Sequence, residues 1–269
     1  MPAPPRIEFA ASIVAALVVG TLLAVAARTG ALELLVAVAA GQALLAFGYV
    51  FGLAVPGWFG ALAIAGMAGA AADALVWLWP HGRLGALLAV FGLAVPVLFV
   101  HQLWRGAARF RIGESLGAIA VLVLGEVGLA ALVQIRHEFD ADIALAVIVI
   151  ATGALVVGHL VDLVVAAPRF DRDVPRGLLA ALGSAVAGAV VGQLTLADGA
   201  TFGDGRGPFA GACIGALAAL FSVGSAFLAY SVPLAEAGFA RRVRPLLGVL
   251  LPLCLVAPVA FLVCSAIRT

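Results

Sequence analysis

The chain contains no lysine and few charged residues of any kind. Charged residues make up 11% of its 269 residues and hydrophobic residues make up 65%, against about 25% and about 45–50% in soluble domains. The mean hydropathy is +1.21. No stretch is long and polar enough to fold in water, which excludes a soluble domain. We therefore predict an integral membrane protein whose function lies inside the bilayer or at its two faces.

Cysteine is also scarce. Cys213, Cys254 and Cys264 all lie within apolar runs and lack the C-x-x-C spacing of a metal site. We predict that they are small buried apolar side chains, and we expect no cofactor. The first apolar run, 9–27, is longer than the apolar core of about 7–15 residues found in signal peptides, so we predict a membrane helix there.

Apolar runs near twenty residues long recur along the whole chain, and about 20 residues are needed to cross a hydrocarbon core some 30 Å thick. We predict one all-α membrane domain over 1–269, with about nine transmembrane helices joined by short loops. The predicted spans are 9–27, 32–55, 58–79, 84–103, 115–135, 143–166, 177–197, 209–232 and 246–267.

Arginine is the only strongly basic residue, and its distribution predicts the orientation. With the amino terminus inside, ten of the fifteen arginines lie on the inner side. The positive-inside rule makes that side cytoplasmic. We expect a multi-pass protein of the cell membrane and no nucleic-acid partner.

Nine of the ten inner arginines fall in the three loops that follow the fourth, sixth and eighth predicted helices, and we call them the arginine collar. Juxtamembrane arginines attract anionic lipid headgroups by about 1 kcal/mol each, so the collar is a candidate lipid or anion site. The alternative is that these arginines only fix the orientation. The collar residues that we expect to bind an anion are Arg169, Arg172, Arg176, Arg241, Arg242 and Arg244.

Four acidic residues remain inside the apolar runs. Glu33 begins its helix at the predicted outer surface, Asp73 lies in the outer half of the third helix, and Glu126 lies near mid-membrane. Gly125 and Gly128 flank Glu126 and would let another backbone approach closely. A buried carboxylate costs about 2.5–3.5 kcal/mol on insertion scales, so each should face a partner or a cavity. Acids at different depths also fit a proton relay.

The fourth acid, Asp162, lies one turn from the cytoplasmic end of the sixth helix, with His159 on the same face. His101, Gln102 and Arg105 end the fourth helix at the same predicted depth and are candidate partners. The sequence leaves two readings open. One is a buried ion pair or hydrogen-bonded pair, and the other is a polar pocket beneath the collar.

Small residues spaced four apart mark close helix contacts in the last part of the chain. Gly188 and Gly192 lie in the seventh predicted helix, and Gly211 and Gly215 lie in the eighth. Such pairs let two backbones approach each other. They indicate either packing inside the bundle or a face for self-association.

Several short motifs resemble the phosphatidate cytidylyltransferases, the CDP-diacylglycerol synthases. Residues 152–154 match the family's T-G-A, Gly158 follows at the family spacing, and 167–169 match its A-P-R. Residues 257–261 read A-P-V-A-F, like the family's last helix. The resemblance covers about residues 143–262, and it implies a helical scaffold with its catalytic loops on the cytoplasmic side.

The chain departs from this family at the family's metal-binding carboxylates. Ala151 replaces the Asp before T-G-A, residues 171–174 read D-R-D-V in place of S-P-K-K, and Gly248 and Leu251 replace the D-R-x-D aspartates. Cytidylyl transfer needs a divalent metal, held by carboxylates, to orient the triphosphate. We therefore predict no metal site, although Asp171 and Asp173 are weak candidates for a rebuilt one.

These observations predict a noncatalytic membrane protein with a cytidylyltransferase-like scaffold. It would bind anionic lipid, or a membrane-protein partner as an accessory subunit, or a second copy of itself. The predicted elements are the arginine collar above a pocket with His159 and Asp162. Two alternatives remain: an active CTP-dependent lipid cytidylyltransferase with a rebuilt metal site, and a small transporter or channel that uses Glu126.

Overall fold

A computed structural model describes residues 6–105, 111–165, 167–170, 176–196, 205–230 and 237–268. Across these residues the chain is an all-helical bundle, with nine helices that are long and apolar enough to cross a membrane. The helices are α1 (Arg6–Thr29), α2 (Ala31–Gly52), α3 (Trp58–Leu78), α4 (Arg83–Trp104), α5 (Ile112–Glu138), α6 (Ala141–Val164), α7 (Leu178–Thr195), α8 (Arg206–Tyr230) and α9 (Ala237–Arg268).

The predicted all-α polytopic fold is confirmed, and each predicted span overlaps one helix. The ninth helix differs most, because it begins at Ala237 and not near residue 246. The charged segment before residue 246 is therefore helical, although Pro245 interrupts the hydrogen-bond ladder. Arg241, Arg242 and Arg244 consequently project from a helix and not from a loop.

Hydrogen bonds between helix ends define two faces of the bundle. Glu8 at the start of α1 accepts a hydrogen bond from Tyr230 at the end of α8, and we call this side the amino-terminal face. On the opposite face Arg136 near the end of α5 donates to the carbonyl of Ala27 near the end of α1. The helices thus alternate in direction, as successive membrane crossings require. The amino-terminal face is the side predicted to be cytoplasmic.

Helix α5 lies at the centre of the bundle. It contacts α2, α3, α4, α6 and α9, and its residues from Gly125 to Ile135 are all buried. Gly128 has the carbonyl of Cys254 in α9 directly against it, with Pro258 Cδ at 3.6 Å from a Cβ placed on Gly128. Pro258 lacks the N–H that would bond the Cys254 carbonyl four residues earlier. The prediction that the glycines beside Glu126 admit another backbone is confirmed for Gly128, whereas Gly125 faces the side chains of Leu45 and Leu251.

Helices α7 and α8 pack through the two small-residue pairs. A Cβ placed on Gly211 would lie 2.9 Å from the Cα of Gly192, and one on Gly188 would lie 3.0 Å from the Cα of Gly215. The backbones are too close for any side chain between them. Both glycine pairs therefore serve packing inside the bundle, which decides between the two readings of the sequence.

We predict that Gly211→Ala destabilises the protein by about 1–3 kcal/mol, because the added methyl group overpacks the contact with α7. Gly224→Ala in the same helix is the matched control, since a Cβ there meets nothing within 4 Å. Thermal unfolding in detergent measures both. Equal unfolding temperatures for Gly211→Ala and the control would contradict the described α7–α8 contact.

Candidate functional site

The chain between α6 and α7 folds back on itself and carries Arg176 into the bundle. Arg169 and Gly177 form an antiparallel bridge, and the Phe170 N–H donates to the Arg176 carbonyl at 3.1 Å. This backbone pairing holds Arg176 immediately before α7. The A-P-R residues, 167–169, thus lie on the part of the chain that leaves α6, and Arg176 lies on the part that leads into α7. We call these described residues, 167–170 and 176–177, the returning segment.

Arg176 forms a buried ion pair with Asp162. Its Nη1 donates to Asp162 Oδ2 at 2.7 Å, and the two side chains are only 7% and 2% exposed. The Gly177 N–H donates to the other carboxylate oxygen at 2.8 Å. Burial lowers the pKa of Arg176 from its ordinary value, and the Asp162 carboxylate opposes that shift. Asp162 therefore fixes the returning segment to the end of α6.

His159 is also hydrogen-bonded to Arg176, and the two hydrogen bonds of the imidazole define the tautomer of His159. His159 Nδ1 lies 2.6 Å from the Leu155 carbonyl, which only accepts, so Nδ1 carries the hydrogen. Nε2 lies 2.8 Å from Arg176 Nη2, which only donates, so Nε2 accepts. Arg176 also donates to the Ser222 hydroxyl on α8. These four side chains form a closed network in which neutral imidazole is required.

A small polar cavity of about 40 Å³ lies beside this network at the amino-terminal face. Its walls come from α1, α6, α8, α9 and the returning segment. Glu8 on α1 accepts a hydrogen bond from the Tyr230 hydroxyl at 2.5 Å, and Ser12 lies one turn further along α1. We call this space the polar cavity. It has room for a small cluster of oxygen atoms.

Arg244 on α9 is the second arginine of the polar cavity. Its Nε donates to the Ala229 carbonyl at 3.1 Å, and its guanidinium lies 4.5 Å from the centre of the Tyr230 ring. Among the residues that the structure describes, no acceptor bonds its two Nη groups. A guanidinium held by its Nε and by an aromatic face presents those groups for a bidentate contact with an anion.

The structure divides the predicted arginine collar into different environments. Arg176 lies inside the bundle and not at the surface, whereas Arg241 and Arg242 are exposed. Arg244 is half-buried at the polar cavity, and Arg169 is half-buried in the returning segment. The remaining arginine of the predicted anion-binding residues, Arg172, lies outside the described residues.

The predicted partners of Asp162 were wrong. Gln102 near the end of α4 donates to the Ser115 hydroxyl at 2.8 Å and accepts from Arg105 at 2.9 Å. His101 lies in a separate groove of α3 and α4, beside Gly57 and Gly60. Asp162 instead pairs with Arg176, which the sequence analysis placed in the exposed collar. The reading of Asp162 as part of a buried ion pair is confirmed.

Asp73 and Glu126 lie together deeper in the bundle, apart from Asp162. Gln42 on α2 joins them, because its Nε2 donates to Asp73 Oδ1 at 3.1 Å and to the Glu126 backbone carbonyl at 2.8 Å. The intramembrane acids therefore form two groups with different partners. No hydrogen bond or ion pair described in the structure joins Asp162 to this second group.

No group of three or more histidine, cysteine, aspartate or glutamate side chains within the described parts of the chain could hold a metal ion. Asp171 and Asp173, the candidates for a rebuilt site, lie outside those parts. The polar cavity is lined by arginines, serines, a tyrosine, a histidine engaged on both ring nitrogens, and the Glu8 carboxylate, which accepts from Tyr230. Within this set, the Arg244 Nη groups are the donors that can contact an anion.

Four residues of the two polar groups were not predicted: Glu8, Ser222, Tyr230 and Gln42. Gln42 was detectable, because it is the one amide in the second predicted span and a buried amide needs a partner. Glu8 lies just before the first predicted span, 9–27. Its bond to Tyr230 spans 222 positions of the chain, and no local pattern indicates such a contact.

We predict that Asp162→Ala and Arg176→Ala each destabilise the protein by about 3–5 kcal/mol, because each leaves an uncompensated buried charge. The double variant should lose clearly less than the sum of the two single losses. Unfolding of the four proteins in mixed micelles measures this double-mutant cycle. Additive losses would show that the two charges do not stabilise each other.

Comparison with known proteins identifies no relative of this chain. No family model, no curated protein and no solved structure matches it. The site therefore has to be interpreted from its own geometry.

Proposed function

We propose that the protein is a noncatalytic, multi-pass protein of the cell membrane that binds the headgroup of an anionic phospholipid in the polar cavity. The headgroup phosphate would contact Arg244, and the acyl chains would stay in the surrounding leaflet. The amino-terminal face would be cytoplasmic, in line with the arginine distribution.

The observation that carries the proposal is the contrast between the two arginines of the polar cavity. Arg176 is bonded by Asp162, His159 and Ser222, so its charge is already matched inside the bundle. Arg244 has bonds only through Nε and its ring contact, among the described residues. Its Nη groups are therefore the ones that can bind an added anion.

The charges around the polar cavity support a lipid at the membrane surface. Glu8 and Asp162 balance Arg176 and Arg244, so the cavity itself is neutral by formal charge. Arg241 and Arg242 are exposed one turn before Arg244 on α9, and they give this region its surplus positive charge. Exposed arginines next to a membrane attract anionic headgroups by about 1 kcal/mol each.

The residues of the polar cavity support binding over cytidylyl transfer. The cavity, of about 40 Å³, has room for a few groups the size of a phosphate oxygen. Among the described residues, no cluster of carboxylates takes the place of the metal-binding aspartates of the cytidylyltransferases. The scaffold relationship to the phosphatidate cytidylyltransferases remains part of the proposal, and it rests on the sequence motifs alone.

We predict that Arg244→Gln weakens binding of an anionic phospholipid about tenfold or more, because a hydrogen bond to a charged group contributes about 1.5–3 kcal/mol. Native mass spectrometry of protein purified from its membrane would measure the bound lipid. Arg28→Gln is the matched control, because Arg28 is 70% exposed on the opposite face. Unchanged lipid binding by Arg244→Gln, or equal loss in both variants, would contradict the proposal.

We predict no release of pyrophosphate when the purified protein is incubated with CTP, Mg²⁺ and phosphatidate. The reason is that no carboxylate cluster in the described parts of the chain could hold the metal on the triphosphate. A coupled phosphate assay measures the product, with an active cytidylyltransferase as the positive control. Metal-dependent release would overturn the noncatalytic proposal and favour a rebuilt site that includes Asp171 and Asp173.

A further inference from the structure

The group of Gln42, Asp73 and Glu126 lies inside the bundle and has no role in the polar cavity. Glu126 is 1% exposed and Gln42 is 4% exposed. Among the residues that the structure describes, Glu126 Oε1 has no hydrogen-bond partner, although Glu126 lies in the central helix of the bundle. A buried oxygen without a partner costs about 1–3 kcal/mol. The unpartnered oxygen of Glu126 therefore indicates a ligand that supplies a hydrogen.

The group is short of hydrogen-bond donors. Gln42 has one amide NH₂, and both of its hydrogens are used, one on Asp73 Oδ1 and one on the Glu126 backbone carbonyl. The remaining side-chain atoms of the group are the oxygens of two carboxyl groups and of one amide, which accept when the acids are ionised. One added hydrogen on a carboxyl oxygen would supply the missing donor.

The group also lacks a cation among the described residues packed around it. Asp73 is the charged neighbour from α3, and Cys254 is the titratable neighbour from α9. The charged or titratable residues of α4 and α6 lie towards the ends of those helices, and His159 and Asp162 on α6 are bonded to Arg176. Two neighbouring carboxylates without a counter-ion in a medium of low dielectric constant cannot both be ionised at low cost.

The packing around the carboxyl group leaves it little freedom to move towards water. A Cβ placed on Gly69 of α3 would lie 3.0 Å from Glu126 Oε2. The missing side chain of Gly69 therefore lets α3 pack directly against the carboxyl group. Glu126 is held beside Gln42 and Asp73 and cannot reach the helix ends, where the arginines lie.

We infer that Gln42, Asp73 and Glu126 form an intramembrane proton-binding site, in which Glu126 carries the proton and Asp73 remains ionised and bonded to Gln42. The assignment to Glu126 follows from geometry. Asp73 already receives a hydrogen from Gln42 and is only half-buried, whereas the Glu126 carboxyl group is fully buried. This inference is independent of the proposed lipid function, because it uses none of the residues of the polar cavity.

Infrared spectroscopy of the wild-type protein in lipid at neutral pH tests the inference. Surface acids are ionised at that pH, so the carbonyl band of a protonated carboxylic acid reports a buried one. We expect one such band, and we expect it to move to lower frequency when the protein is grown with ¹³C-glutamate and to stay in place with ¹³C-aspartate. This isotope test uses the wild-type protein, so its result does not depend on whether a variant folds.

The variants give a second, separate test. Glu126→Gln should abolish the band, because the remaining Asp73 is bonded to Gln42 and more exposed. Glu33→Gln, at the start of α2, is the matched control and should keep it. The absence of any protonated-carboxyl band in the wild type, a band that shifts with ¹³C-aspartate alone, or a band that survives in Glu126→Gln would each overturn the inference.

Discussion

The ion pair between Asp162 and Arg176 is the constraint on which the amino-terminal face depends. A charge inside a membrane bundle is tolerated only when another group compensates it. Here the compensating arginine comes from outside the helices, and the Arg169–Gly177 bridge returns it to the end of α6. The same arginine bonds His159 and Ser222, so one side chain ties α6, the returning segment and α8 together.

This pairing determines what the neighbouring polar cavity can bind. Because Asp162 neutralises Arg176, the guanidinium of Arg244 is left to interact with a ligand. The Glu8–Tyr230 hydrogen bond closes the cavity on the side of α1. The protein therefore keeps two polar groups apart: one near a membrane surface that is rich in arginine, and one around Glu126 that contains acids and an amide. Their different chemistry indicates an anion for the first and a proton for the second.

The helices could be predicted from the sequence because the thickness of the bilayer sets the length of each apolar run. The role of Gly128 could also be predicted, because a residue without a side chain permits the close approach of another backbone. Side-chain partners could not be predicted in this way. Asp162 has candidate partners at equal depth on α4, and only the fold shows that the chain returns Arg176 to it. Tyr230 and Glu8 meet because α1 and α8 both pack against α6 and α9, which brings the start of α1 and the end of α8 to the same face.

The most direct test of the account is a structure determined by electron cryomicroscopy in nanodiscs that contain an anionic phospholipid. The account predicts density for a headgroup phosphate in the polar cavity, within hydrogen-bond distance of Arg244 Nη1 or Nη2, while Arg176 stays paired with Asp162. A cavity that holds only water, with ordered anionic lipid bound elsewhere on the bundle, would contradict it.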